Sequence, residues 1–170
     1  MIMTDNDNNQ ITAFHPGAMA EAHRNIISAR PDIKLGIVSP DGRQAMLDHA
    51  AQFKAANIPF VFDPGQGLPM FDGTDLKQFI ELATWVTVND YEAQMLTERT
   101  GWTHADIAAR VKGYAITLGE KGAQVWQSGT STLVAPVVAD GPERDPGVAR
   151  QGRERFDPRS EEHTSELQSH

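Results

Sequence analysis

The sequence predicts an α/β domain whose sheet is mostly parallel and ends in an antiparallel edge hairpin. Short apolar runs at residues 33–39, 60–62, 85–88 and 114–118 alternate with stretches whose apolar residues recur at helical spacing, the pattern of strands joined by crossover helices. Polar and glycine residues collect where these runs end, as at the carboxyl edge of an open sheet. Two final runs, 124–127 and 133–138, flank the turn Ser128-Gly129-Thr130 and suit an antiparallel pair.

Composition narrows what such a domain can do. With 170 residues, 39% of them hydrophobic and 22% charged, the chain has the size and balance of one globular domain. No apolar run reaches the roughly 18 residues of a membrane span, and Met1-Ile2-Met3-Thr4-Asp5 lacks the order of a signal peptide. A cytoplasmic setting with no membrane partner is expected. Zero cysteines exclude disulfides and thiolate metal sites. A net charge of −8 argues against a nucleic-acid partner, whose phosphates demand basic patches, and favours a small-molecule ligand.

In chain order, a polar run at 4–10 precedes Ile11-Thr12-Ala13-Phe14, whose alternation reads as a strand stopped by Pro16-Gly17; the chain opens on a hairpin. Residues 18–29 show a weak helical pattern. The strand at 33–39 is broken by Pro40-Asp41-Gly42, with Asp41 as expected cap for a helix carrying Ala45, Met46, His49, Ala50 and Phe53 on its apolar face. On that face His49 reads as a satisfied boundary histidine, since nothing nearby completes a metal set. The strand 60–62 follows and runs parallel to the first. Next comes the loop Asp63-Pro64-Gly65-Gln66-Gly67-Leu68-Pro69, where the glycines either admit a ligand or merely punctuate the turn. A helix at 74–83 returns the chain to Trp85. The next helix, from Asp90 to Thr100, places Tyr91, Met95 and Leu96 on its apolar side and stops at Gly101; Thr103 caps a short helix at 105–111.

The junction Trp85-Val86-Thr87-Val88-Asn89-Asp90-Tyr91-Glu92 organises the rest. A buried strand there turns directly into a helix, and Asn89 and Glu92 stand at the turn. Their spacing fits a helix N-cap with its capping-box acid three residues on, and equally fits a ligand site at a sheet edge.

Composition shifts near residue 140. From Gly141 to His170 only Val148, Ala149, Phe156 and Leu167 are hydrophobic, while five arginines and seven acids accumulate. This tail cannot bury enough apolar surface to fold alone. Its end, from Arg159 to His170, matches residue for residue the translation of a common short-read sequencing adapter. Residues 1–140 are therefore expected to be the domain, and 141–170 a non-native or disordered tail.

The order of Asp63-Pro64-Gly65-Gln66-Gly67, Asn89-Asp90-Tyr91-Glu92, Thr117-Leu118-Gly119-Glu120-Lys121-Gly122-Ala123 and the closing hairpin resembles the central portion of the ribokinase, or pfkB, carbohydrate kinase family. The stretches 7–19 and 63–71 resemble its adenosine-kinase-like bacterial members. The resemblance spans about residues 4–140 and implies a partial ribokinase-like three-layer fold. It implies an ATP-dependent kinase that transfers phosphate to a sugar hydroxyl, with a sugar or nucleoside such as adenosine as acceptor. By the same resemblance Glu92 helps hold Mg²⁺, Asn89 supports the phosphates, and Thr117, Gly119 and Gly122 line the ATP phosphate and ribose side. Asn9 and Gln10, on the strand resembling the family's lid, are the implied substrate contacts, with surface polarity as their alternative. Lys121 reads as solvated. The lid often mediates pairing in this family, which makes a homodimer the implied assembly of an intact parent.

One departure matters most. The family follows its last hairpin strand with a segment ending Gly-x-Gly-Asp, which supplies an anion hole and the catalytic base. Here residues 141–150 read Gly-Pro-Glu-Arg-Asp-Pro-Gly-Val-Ala-Arg, without that motif. The expectation is a kinase fragment that lacks its base, is inactive and is poorly soluble. A non-catalytic nucleotide-binding or regulatory α/β module is the alternative.

Overall fold

A computed structural model of the chain describes residues 2–4, 10–13 and 15–137, all within one compact unit, Met1–Val137. The expectations for Asn9 and for the tail, its adapter-like end included, lie outside the described residues.

Strands β1 (Ile2–Thr4) and β2 (Gln10–Thr12) pair antiparallel as the expected opening hairpin. A 3-10 helix follows at Gly17–Arg24 and buries none of its residues, which accounts for its weak apolar pattern. The main sheet holds β3 (Gly36–Val38), β4 (Phe60–Phe62), β5 (Trp85–Asn89), β6 (Gly113–Thr117), β7 (Ala123–Gln127) and β8 (Thr130–Val134), side by side in chain order. The first four run parallel, and β7 and β8 are antiparallel additions.

The connections are α1 (Arg43–Ala55), α2 (Gly73–Leu82), α3 (Asp90–Thr100) and α4 (His104–Ala108). Because parallel crossovers are right-handed, neighbouring strands in chain order put all their helices on one face. Burial follows suit. Val38, Phe60, Phe62, Val86, Val88, Tyr114 and Ile116 are buried, whereas the alternating Ile37 is 57% exposed and Thr87 and Ala115 are half-buried. Beneath the helices Phe62 and Phe79 stack with centroids 4.4 Å apart, and Phe71 meets Phe79 edge-on at 4.9 Å. Leu68, Leu76, Ile80, Leu96 and Ile107 complete this core. Among the described residues no helix is long and apolar enough to cross a membrane.

Several boundaries differ from expectation, each for a local reason. Asp41 does not cap α1. Its carboxylate accepts from the amide of Gly42 at 2.7 Å, one residue too early, and Gly42 takes the cap position without a side-chain bond. α2 and α4 instead carry full capping boxes, Asp72 with Asp75 and Thr103 with Asp106. β3 is shorter than 33–39 because it pairs with a three-residue partner, β4. The loop after β4 winds into a 3-10 helix at Gly65–Met70. In α3, Tyr91 is 67% exposed, and the helix buries Ala93, Leu96 and Thr100. The Thr100 hydroxyl donates to the Leu96 carbonyl at 2.6 Å, so a polar residue sits in the core without an unmet bond. α4 ends at Ala108, short of the expected 111. β8 begins at Thr130 and not at Leu133, because Ser128 (φ 51°) and Gly129 (φ 78°) alone form the turn. Two central residues with positive φ match the twist of the flanking strands, which a three-residue turn of ordinary backbone would not. His49 holds its expected boundary place, half-buried, with Nε2 3.0 Å from the Asn25 carbonyl.

Candidate functional site

At the end of β5 the chain passes without a loop into α3, and Asn89 serves both elements. Its Oδ1 accepts from the Glu92 amide at 2.8 Å, while Glu92 Oε2 accepts from the Asn89 amide at 2.9 Å. The capping-box reading of Asn-x-x-Glu is therefore realised. It occupies only part of each side chain: Nδ2 of Asn89 and the second Glu92 oxygen make no hydrogen bond among the described residues. Replacing Asn89 with alanine is expected to lower stability by about 1 kcal/mol through loss of the cap, measured by urea denaturation.

Thr117 ends β6 directly opposite Asn89, and the two are Cα partners in the parallel ladder. Both side chains are exposed. Past Thr117 the chain turns through a short 3-10 segment, Gly119–Lys121, into β7. The two glycines of this turn differ. At Gly119 (φ 59°) an added Cβ would meet nothing within 4 Å. Gly122 (φ 92°) donates its amide to the Gly119 carbonyl at 3.0 Å, and an added Cβ would stand 2.0 Å from the Val134 carbonyl oxygen. Gly122 therefore lacks a side chain because the β8 backbone occupies that space. Lys121 is exposed.

Gln10 opens β2 opposite Thr4, in a sheet separate from the one that carries Asn89 and Thr117. At the end of β4, burial pushes the Asp63 carboxyl above the usual carboxylate range, offset in part by the Gly65 backbone amide. Among the described residues no group of three or more His, Cys, Asp or Glu side chains stands ready for a metal ion. A lone carboxylate with a spare oxygen, as at Glu92, suits Mg²⁺ better than an all-protein cage, because that ion keeps several of its waters.

Sequence reasoning passed over Arg99. From the last turn of α3 its Nη1 donates to the carbonyls of Leu68 (3.2 Å), Pro69 (3.1 Å) and Phe71 (2.5 Å). It ties the segment after β4 to the helix that Asn89 caps. The partners lie about thirty residues upstream, so no local spacing announces the contact.

An open, mainly parallel sheet with an antiparallel edge, polar side chains at its carboxyl end and helices packed on it defines a ribokinase-like α/β protein. A family model described as pfkB family carbohydrate kinase matches residues 1–140, and the chain belongs to that family. A nucleoside kinase of Methanocaldococcus jannaschii is 27% identical over 145 residues, covering 85% of this chain and 47% of that protein. The solved Burkholderia thailandensis nucleoside kinase in complex with inosine is 51% identical and superposes with a TM-score of 0.79, covering 82% of this chain and 46% of the other. Its complex with ADP-inosine gives a TM-score of 0.77 at the same identity, over 82% of this chain and 44% of that one. The chain spans about half the length of the relatives it matches.

Proposed function

We propose that this chain carries the phosphate and metal half of an ATP-dependent kinase that phosphorylates a sugar hydroxyl of a nucleoside. The observation that carries this reading is the pairing of Asn89 with Thr117 at the carboxyl edge, beside the open turn at Gly119. The Asn89 side-chain Nδ2 would donate to a phosphate oxygen, with the Thr117 hydroxyl and Gly119 backbone on the same side. Gly122 acts indirectly, by letting the turn close against β8. Glu92 would hold Mg²⁺ through its second oxygen, largely by way of water. When bound, the ion would offset negative charge on the phosphates. Asn9 and Gln10 are the proposed acceptor contacts. The inosine and ADP-inosine complexes of a 51% identical relative support a nucleoside acceptor and an adenine nucleotide donor. A cytoplasmic setting and pairing of the intact parent belong to the same reading.

Phosphoryl transfer rests on positioning and charge stabilisation, and this sequence contains no Gly-x-Gly-Asp to supply base and anion hole. Accordingly the chain binds nucleotide and does not turn over. Calorimetry with MgADP tests the first statement: Glu92→Gln should weaken binding about tenfold or more, and an unchanged affinity would remove Glu92 from the site. An ATP-consumption assay with inosine and adenosine tests the second. Substrate-dependent ADP release would show a competent enzyme, whereas binding without release also fits a non-catalytic nucleotide-binding or regulatory module, which the missing motif favours.

A further inference from the structure

The main sheet ends on β8, and nothing among the described residues pairs with its outer side. All of its residues, Thr130–Val134, are exposed, Leu133 at 67% and Val134 at 49%. Folded proteins blunt such an edge with a lysine, a proline or a bulge, because its free backbone groups recruit another strand. β8 has none of these: it matches β7 residue for residue and contains neither lysine nor proline. No charged residue occurs between Lys121 and Asp140, although the whole chain carries a net charge of −8. Two copies of so acidic a chain repel each other, and this hairpin brings no charge of its own to the encounter.

The turn decides which backbone groups face outward. Ser128 and Gly129 close a two-residue hairpin, in which the flanking pair, Gln127 and Thr130, is hydrogen-bonded, as is every second pair after it. Thr132 and Val134 therefore bond inward to β7, while Ser131 and Leu133 direct N–H and C=O away from the sheet. A second β8, antiparallel and centred on Thr132, meets these groups without a gap. Ser131 of each copy then exchanges both backbone bonds with the partner's Leu133. Thr132 is in register with Val125 and Ala115, on the face away from the helices. On that face it stands opposite the partner's Thr132, and Val134 stands opposite the partner's Thr130, cross-strand pairs of the kind that stabilise sheets.

We propose that β8 is the docking edge for a second copy of this chain, the two β8 strands pairing antiparallel about Thr132 to join two six-stranded sheets into one. The two-fold contact uses this edge up on both copies, so assembly through it stops at two. The surface is separate from the opening hairpin of β1 and β2. The inference does not depend on the kinase reading, since it uses none of Asn89, Glu92, Thr117 or Gly119.

A contact between two five-residue strands is small, so sedimentation velocity on the full chain should show reversible dimerisation with a Kd of about 0.1 mM. Thr132→Lys sets two ammonium groups against each other across the axis and should weaken pairing about tenfold, as should Thr132→Glu. Mixed in equal amounts, the two variants should pair again, because unlike charges then face each other. Thr132 is exposed, whereas the Ser131 hydroxyl accepts from Gln124 Nε2 at 2.9 Å and is best kept; unchanged thermal melts confirm folding. The chain has no cysteine, so Thr132→Cys places a lone thiol opposite its twin, at a strand spacing that admits a disulfide. Mild oxidation should link that variant and leave Thr130→Cys, displaced along the strand, unlinked. A monomer up to about 1 mM, a dimer indifferent to Thr132→Lys, charge variants that fail to pair on mixing, or Thr130→Cys linking as fast as Thr132→Cys would each overturn the proposal.

Discussion

Phe79→Ala is expected to destabilise the domain by about 3–5 kcal/mol, read as a drop in the urea midpoint with unchanged slope. Phe79 is 1% exposed and projects from α2 onto the β4 end of the sheet, where its ring is stacked on Phe62 and met edge-on by Phe71. Deleting it removes the transfer energy of a full aromatic side chain and two ring contacts, and leaves a void between rigid neighbours that cannot collapse. The loss is comparable with the whole stability of many domains, which lies at about 5–15 kcal/mol. Phe71 is also one of the residues whose carbonyl Arg99 holds, so the void should loosen the Gly65–Met70 turn as well. A fall of less than about 1 kcal/mol would show that Phe62 and Phe71 close the gap.

Gly122→Ala should be nearly as damaging, by about 3 kcal/mol or more, for an unrelated reason. The position combines φ 92° and ψ −134°, a region open essentially to glycine alone, with a β8 carbonyl oxygen 2.0 Å from the new methyl carbon. Neither can relax without shifting β8 off β7. The same change at Gly119, where φ is 59° and the space is empty, should cost only about 1 kcal/mol of backbone strain. Chemical denaturation of the two variants, without nucleotide, checks the contrast. Equal losses would refute the division of labour between the two glycines.

The parts of the fold legible in the sequence are those written in short-range spacing. Strand and helix alternation placed every crossover, and the three-residue interval from Asn89 to Glu92 announced the capping box that closes there. Adjacency across strands was less accessible. That Asn89 faces Thr117 follows only from β5 and β6 being neighbours, which the order of elements suggested and the ladder register shows. The contacts of Arg99 and Gly122 were illegible because their partners lie far along the chain, in a turn upstream and in the last strand. Boundaries failed where a backbone angle decided the outcome. Ser128 adopts φ 51°, uncommon for a residue with a side chain, and nothing in Ser-Gly-Thr says which two of the three make the turn. In α3 the core register slipped for a different reason: Thr100, polar by composition, is buried because it bonds to its own helix.

The chain-order sheet also bears on how the domain is made. Each strand of the main sheet after β3 pairs with the one completed just before it, and among the described residues no strand waits for a distant partner. Sequence separations between neighbours stay short, falling to a two-residue loop between β7 and β8, so relative contact order is low for a mostly parallel sheet. Such a sheet can grow from its first βαβ unit outward as the polypeptide emerges, one strand at a time.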